Sequence, residues 1–326
     1  MASLRPGPLH EPQVGDRLLR PKQADAPSTS APVFILGAPR SGTSLLYKVL
    51  CLHPGAAYIS NWMRRAPQLP ALALVNRLAH RFPRFRRTVW FGDDSANAYV
   101  YGGRRSLPSR LFPMPVEGEP VFRSCEIGQG RRPGPPDPVQ VACLRRTFAA
   151  LRRYAGGSFV VSKRIANNQR IPLLAAAFPA ARFVNLIRDG RAVAYSLSRV
   201  SWWEDDVVWW LGSTPRQWRE AGHDPWELCA RHWLCELASV DEGLLAVAPE
   251  HRLDVRYEEL VEQPVPMLRR IGAFAGLPED RGWTAELARL RYPNRNEAWR
   301  ERLSGDARAR VEAIQYEQLR RLGYLA

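Results

Sequence analysis

The stretch Val33-Phe34-Ile35-Leu36-Gly37-Ala38-Pro39-Arg40-Ser41-Gly42-Thr43-Ser44 decides the fold class. Its first four residues, apolar and partly β-branched, read as a short buried strand. Gly37 to Ser44 then has the spacing Gly-x-x-x-x-Gly followed by two small residues. An apolar helical pattern continues through Leu45, Leu46, Val49 and Leu50 until His53-Pro54-Gly55 stops it. Strand, glycine loop and helix in that order make an anion cradle. The glycines let the backbone curl, and the N–H groups of Ser41 to Ser44 converge at a helix N-terminus. Arg40 adds charge, and the hydroxyls of Ser41, Thr43 and Ser44 add donors. The competing reading is a tight turn without a ligand; the strand before it and the helix after it favour the cradle.

Thr43 stands where a kinase or nucleotidase carries lysine, the cation that neutralises nucleotide phosphates together with a metal. No adequate replacement lysine follows, and no apolar strand ends in an evident metal-binding Asp. The loop therefore suits an anion with less charge at its reacting end, handled with no metal.

Moving outward, Phe159-Val160-Val161 running to Ser162-Lys163, Arg182 to Ile187 and Arg252 to Val255 read as further strands. Helical patterns lie between them, over about 138–154, 170–178 and 192–199, with a long helix starting at Asp224-Pro225-Trp226-Glu227. Alternation of this kind predicts a P-loop-like three-layer α/β/α fold around a central, mostly parallel sheet. Residues 1–30, with prolines and a Ser-Thr-Ser run, read as a flexible tail, leaving 31–326 as one domain. The segment 56–137 shows no clear period.

A second anchor sits at Arg188-Asp189-Gly190, where a strand ends. Asp189 suits a helix cap, and Ser196 lies two turns on, so the pair Arg188 and Ser196 can clamp a second phosphate. Together the two segments resemble the nucleotide-binding motifs of the sulfotransferase superfamily that uses 3′-phosphoadenosine 5′-phosphosulfate (PAPS). Phe34 to Ser44 is similar to its 5′-phosphosulfate loop and Phe183 to Ser196 to its 3′-phosphate motif. Ser162-Lys163-Arg164 with Arg170 to Leu174, and Arg256 to Pro264 leading to Ile271 to Pro278, resemble blocks of the bacterial branch. The resemblance implies that Arg40, Ser41, Gly42, Thr43 and Ser44 hold the 5′-phosphosulfate, that Arg188 and Ser196 hold the 3′-phosphate, and that PAPS is the co-substrate. It further implies that Arg40 and Lys163 meet the charge that develops as the S–O bond breaks. The loop Asn294-Arg295-Asn296 is expected to close over the nucleotide.

Sulfuryl transfer to a hydroxyl needs a base. None of the six histidines stands where soluble relatives place one, whereas other branches use a glutamate from the segment between the first helix and the second strand. Glu117, in Pro115-Val116-Glu117-Gly118, is the first choice and Glu126 the second; a solvated surface carboxylate is the alternative for either. Trp226 and Trp233 recur at helical spacing and read as core, while Trp202-Trp203 and Trp209-Trp210 are candidates to wall an acceptor pocket.

Composition sets the outer limits. Net charge is +15, and only three basic residues are lysines (Lys22, Lys48, Lys163), so most arginines need no functional account. Five cysteines without a CxxC pair predict neither a disulfide framework nor a zinc site, hence a reduced, cytoplasmic protein. The expected partner is a small-molecule, carbohydrate or lipid-linked hydroxyl acceptor. Runs such as Arg84 to Arg87 and Arg152-Arg153 read as solvated faces, with membrane head groups as their second use. Two other functions compete: a P-loop kinase or NTPase, against which Thr43 argues, and a basic nucleic-acid-binding protein, which leaves the ordered blocks unexplained.

Overall fold

The computed structural model describes residues 31–92, 107–130 and 134–325. The tail at 1–30 lies outside the described residues. Five strands form one parallel sheet: β1 (Val33–Leu36), β2 (Ala56–Tyr58), β3 (Phe159–Lys163), β4 (Arg182–Ile187) and β5 (Arg252–Arg256), in the order β2-β3-β1-β4-β5. The chain leaves β1 toward one edge and later crosses β1 toward the other. That reversal opens a crevice at the carboxyl ends of the strands. β2 escapes a reading of the sequence because three residues are too few to show a period. It closes the edge beside β3 in a segment that otherwise looks irregular.

Alternate residues of β1 enter opposite cores, the signature of a sheet covered on both faces. Val33 and Ile35 pack with Leu46 and Leu50 of helix α1 (Thr43–Leu50), and with Leu268, Ile271 and Trp283. Phe34 and Leu36 pack with Leu144, Phe148 and Leu151 of α2 (Pro138–Ala155), and with Leu174 and Val240. Phe34 is fully buried among the rings of Phe148, Phe178 and Phe183, with centroids 6.0, 5.9 and 5.4 Å away. Truncating it to alanine is expected to cost about 3–5 kcal/mol.

The helices begin where the sequence places caps. Asp137 accepts a hydrogen bond from the Val139 N–H at 2.8 Å, Pro138 opens α2, and Gly156 at φ 70° ends it. Asp189 caps α3 (Gly190–Leu197) through the Arg191 N–H, and Asp224 caps α4 (Pro225–Leu244) through the Trp226 N–H. Trp233 is wholly buried in α4, whereas Trp226 is half-buried at the edge of two apolar clusters.

Two expectations are corrected. Cys125 and Cys143 form a disulfide, because α2 folds back across the short helix Glu119–Arg123. Sequence spacing carries no trace of that approach. Arg86 is not on a solvated face: it is buried, with a 2.7 Å ion pair to Glu286. Among the described residues no helix is long and apolar enough to cross a membrane.

Candidate active site

The loop after β1 is shaped by backbone that only particular residues tolerate. Gly37 has φ 133°, and a Cβ there would lie 2.4 Å from the Leu186 carbonyl oxygen. Gly42 has φ 91°, and its Cβ would lie 2.6 Å from the Tyr257 ring. Between them Arg40 adopts φ 70°, an uncommon conformation for a residue with a side chain. The curl delivers Gly42, Thr43 and Ser44 to the start of α1, where backbone N–H groups have no intrahelical acceptor. Ser41 Oγ is buried with no hydrogen-bond partner. Orphaned donors around a curl are what an anion would satisfy. Lys48, the lysine of this helix, does not serve the loop: its Nζ donates to the Trp90 carbonyl at 2.8 Å.

The second anchor meets the first. β1 and β4 are neighbours with Leu36 opposite Asn185, so Arg188 emerges beside the loop. Its guanidinium donates to the Arg40 carbonyl at 2.8 Å, to Asn296 Oδ1 at 3.1 Å and to the Arg295 carbonyl at 2.9 Å. It also lies 4.3 Å from the centroid of the Tyr257 ring. Arg40 Nε donates to Ser196 Oγ at 2.9 Å. Arg40, Arg188, Ser196 and the 294–296 loop thus form one continuous contact at the carboxyl edge of the sheet.

On the other side of β1, Lys163 ends β3 opposite Ile35. Its ammonium is hydrogen-bonded to Glu117 Oε1, and Arg164 donates to Glu117 Oε2 at 2.5 Å. The Glu117 side chain retains 27% exposure while Lys163 retains 4%. Burial pushes the Glu117 carboxyl up, but Lys163 and Arg164 outweigh it and hold the group at about 2. Glu117, Lys163, Arg40, Thr43 and Ser44 all line one open cleft of about 1070 Å³. Trp202, Trp203 and Trp209 supply its aromatic wall; Trp210 turns away, its indole N–H donating to His232 Nδ1 at 3.1 Å.

Glu126 is exposed, lies outside this cleft and offers Gln140 only its backbone carbonyl, at 2.7 Å. Glu119 is buried and braced by Arg170 at 2.8 Å and Arg164 at 3.2 Å, which makes it a strut for the segment bearing Glu117. The sequence does not reveal Arg164 as a partner of Glu117, nor any part for Asn168 and Glu236. Asn168 accepts from the Gly37 N–H and donates to the Gly37 carbonyl, both at 3.1 Å. Nothing in local sequence marks a contact 131 residues away. Among the described residues no cluster of His, Cys, Asp and Glu is suited to hold a metal ion.

A family model described as the sulfotransferase family matches residues 32–281. The chain belongs to that family. Its fold is similar to sulfotransferase STF9 from Mycobacterium avium, with a TM-score of 0.50 at 16% identity over 89% of this chain and 76% of that one. Sulfotransferase STF1 from Mycobacterium tuberculosis H37Rv follows at 15% identity and TM-score 0.48, over 88% and 76%. Mouse sulfotransferase SULT7A1, solved in complex with PAP, gives 11% identity and 0.41, over 89% and 84%. No curated protein matches the chain in sequence.

Proposed function

We propose that residues 31–326 act as one domain that moves a sulfuryl group from PAPS to an acceptor hydroxyl. The observation that carries this reading is the meeting, at one strand edge, of the curled loop with Arg188 and Ser196, beside a Lys163–Glu117 pair open to a large cleft. In this reading Arg40, Ser41, Gly42, Thr43 and Ser44 receive the 5′-phosphosulfate. Arg188 and Ser196 receive the 3′-phosphate, a role suited to the guanidinium fork. The acceptor oxygen forms its bond to sulfur as the bond from sulfur to the phosphate oxygen breaks. The acceptor proton passes to Glu117, and the nucleotide leaves as 3′-phosphoadenosine 5′-phosphate (PAP), its new charge facing Lys163 and Arg40.

A carboxylate held at about 2 is a weak base while both cations grip it. Engagement of Lys163 by the bridging oxygen of the donor removes the strongest of those two grips, and the proton affinity of Glu117 rises when it is needed. The donor would thereby arm the base. The tryptophan wall suits ring-bearing acceptors, sugars and lipid-linked sugars among them. Calorimetric titration with PAP and with magnesium-ATP tests the reading. PAP is expected to bind the more tightly, and Arg188→Ala to weaken it on the order of a hundredfold. Magnesium-dependent ATP turnover with no response to PAP would replace the sulfotransferase reading by the nucleotide kinase one.

A further inference from the structure

Beneath the cleft lies a carboxylate that the transfer chemistry does not use. Glu236, on the inner face of α4, is fully buried, and both its oxygens are occupied. Oε2 accepts from Asn168 Nδ2 at 2.6 Å and from Gln169 Nε2 at 3.2 Å. Oε1 accepts from Trp209 Nε1 at 2.9 Å. Four residues earlier on the same helix, His232 is also buried, and burial pushes its imidazole down to about 3, so the ring is neutral. Its Nδ1 accepts from Trp210, which leaves the proton on Nε2, directed at Glu236 Oε1 3.6 Å away. Adjacent indole N–H groups of the 201–213 segment are therefore both secured to one helix face. Asn168 in turn grips Gly37 by its N–H and its carbonyl.

The arrangement is a single chain of hydrogen bonds, from Gly37 at the root of the phosphate loop, through Asn168 and Glu236, to Trp209 in the wall of the acceptor cleft. Every member is buried or half-buried, and the donors at Glu236 are all neutral. A shift of Gly37 on filling the loop must be taken up by Asn168, which has no slack because its amide group serves three bonds. The carboxylate passes that shift to Trp209, since losing the Trp209 donor would leave the buried Oε1 without its 2.9 Å hydrogen bond.

We propose that Glu236 is a positioning residue that couples occupancy of the donor loop to the placement of Trp209 on the acceptor side. The proposal rests on the reading of Gly37–Ser44 as the donor site. Coupling of this type is reciprocal: the donor nucleotide and an acceptor held against Trp209 change each other's affinity by the same factor, so loosening Trp209 weakens the donor loop's grip.

The test uses the full-length protein and PAP as probe. The indole N–H resonance of Trp209 is assigned by its disappearance in Trp209→Phe, which keeps an aromatic ring and removes the donor. In the wild type, saturation with PAP is expected to move that resonance. In Glu236→Gln, with one acceptor oxygen lost, PAP still binds but the resonance no longer responds. Trp209→Phe itself is expected to weaken PAP about fivefold or more. Trp218→Phe, which removes an indole bond to the Asp224 carbonyl away from the network, is expected to leave PAP affinity unchanged. If Glu236→Gln fails to fold, the two tryptophan variants still decide. PAP binding with an unmoved Trp209 resonance, or equal affinity in Trp209→Phe and wild type, overturns the coupling while leaving the donor site standing. An equal loss in Trp218→Phe and Trp209→Phe overturns it as a mere stability effect. No PAP binding to the wild type overturns the donor reading and the coupling together.

Discussion

Glu117 and Glu236 line the same cleft and carry the same chemical group, yet their surroundings drive them in opposite directions. Glu117 meets two cations, Lys163 and Arg164, and stays ionised down to about 2 although burial opposes it. Glu236 meets neutral donors from Asn168, Gln169 and Trp209; burial prevails and lifts it to about 7. Burial alone therefore does not set the charge of an acid in this protein. The nature of the partner does. At the mouth of the cleft, charged partners hold the carboxylate ionised. At the floor, neutral partners build a group that holds geometry.

The contrast is broken most directly at the mouth. Glu117→Gln is expected to keep PAP affinity while cutting turnover by about 10²–10⁴, measured as PAP release from PAPS across phenolic and sugar acceptors. Unchanged turnover would reduce Glu117 to an ion-paired strut like Glu119.

At the floor the expected effect is on stability. A glutamate of the unfolded chain titrates near 4.5, so the stabilisation carried by protonated Glu236 is complete below that value and is lost as pH rises through about 7. The loss is on the order of 3 kcal/mol. Glu117 works the other way: its contribution is present above 4.5 and disappears as pH falls toward about 2. Melting curves from pH 4 to 8 should show Glu236→Gln flattened on the neutral side relative to wild type. Parallel curves for the two proteins would mean that Glu236 does not titrate in that window.

The smallest effect sharpens the comparison instead of breaking it. Lys163→Met should raise the Glu117 carboxyl from about 2 toward its ordinary 4.5, with Arg164 still holding it below that value. Carbon-13 NMR of the side-chain carboxyl reads the shift. A Glu117 that stays near 2 without Lys163 would assign the depression to Arg164 alone and remove the donor-armed base from the mechanism.

Much of the proposed donor side is legible in the amino-acid sequence. Its chemistry is encoded in contiguous residues at strand ends: the glycines that permit the curl, the cap at Asp189, the arginine where β4 stops. Such local backbone demands restrict residue choice within a short window, so they leave a pattern. β2 is not legible, being three residues long. Nor is the Cys125–Cys143 bond, which joins the turn after a short helix to the first half of α2, or the burial of Arg86 against a partner 200 residues later.

The sequence by itself determined the parallel α/β architecture, the curled glycine loop and the arginine that faces it, and it singled out Glu117 and Lys163 separately. Only the tertiary structure decided that these two form a pair, that Arg164 completes it, and that Asn168, Trp209 and Glu236 join the loop to the cleft wall. The physical reason is range. Turn geometry, caps and periodicity act over a few residues and mark the chain where they act. Ion pairs and buried hydrogen bonds form between segments that only packing brings together.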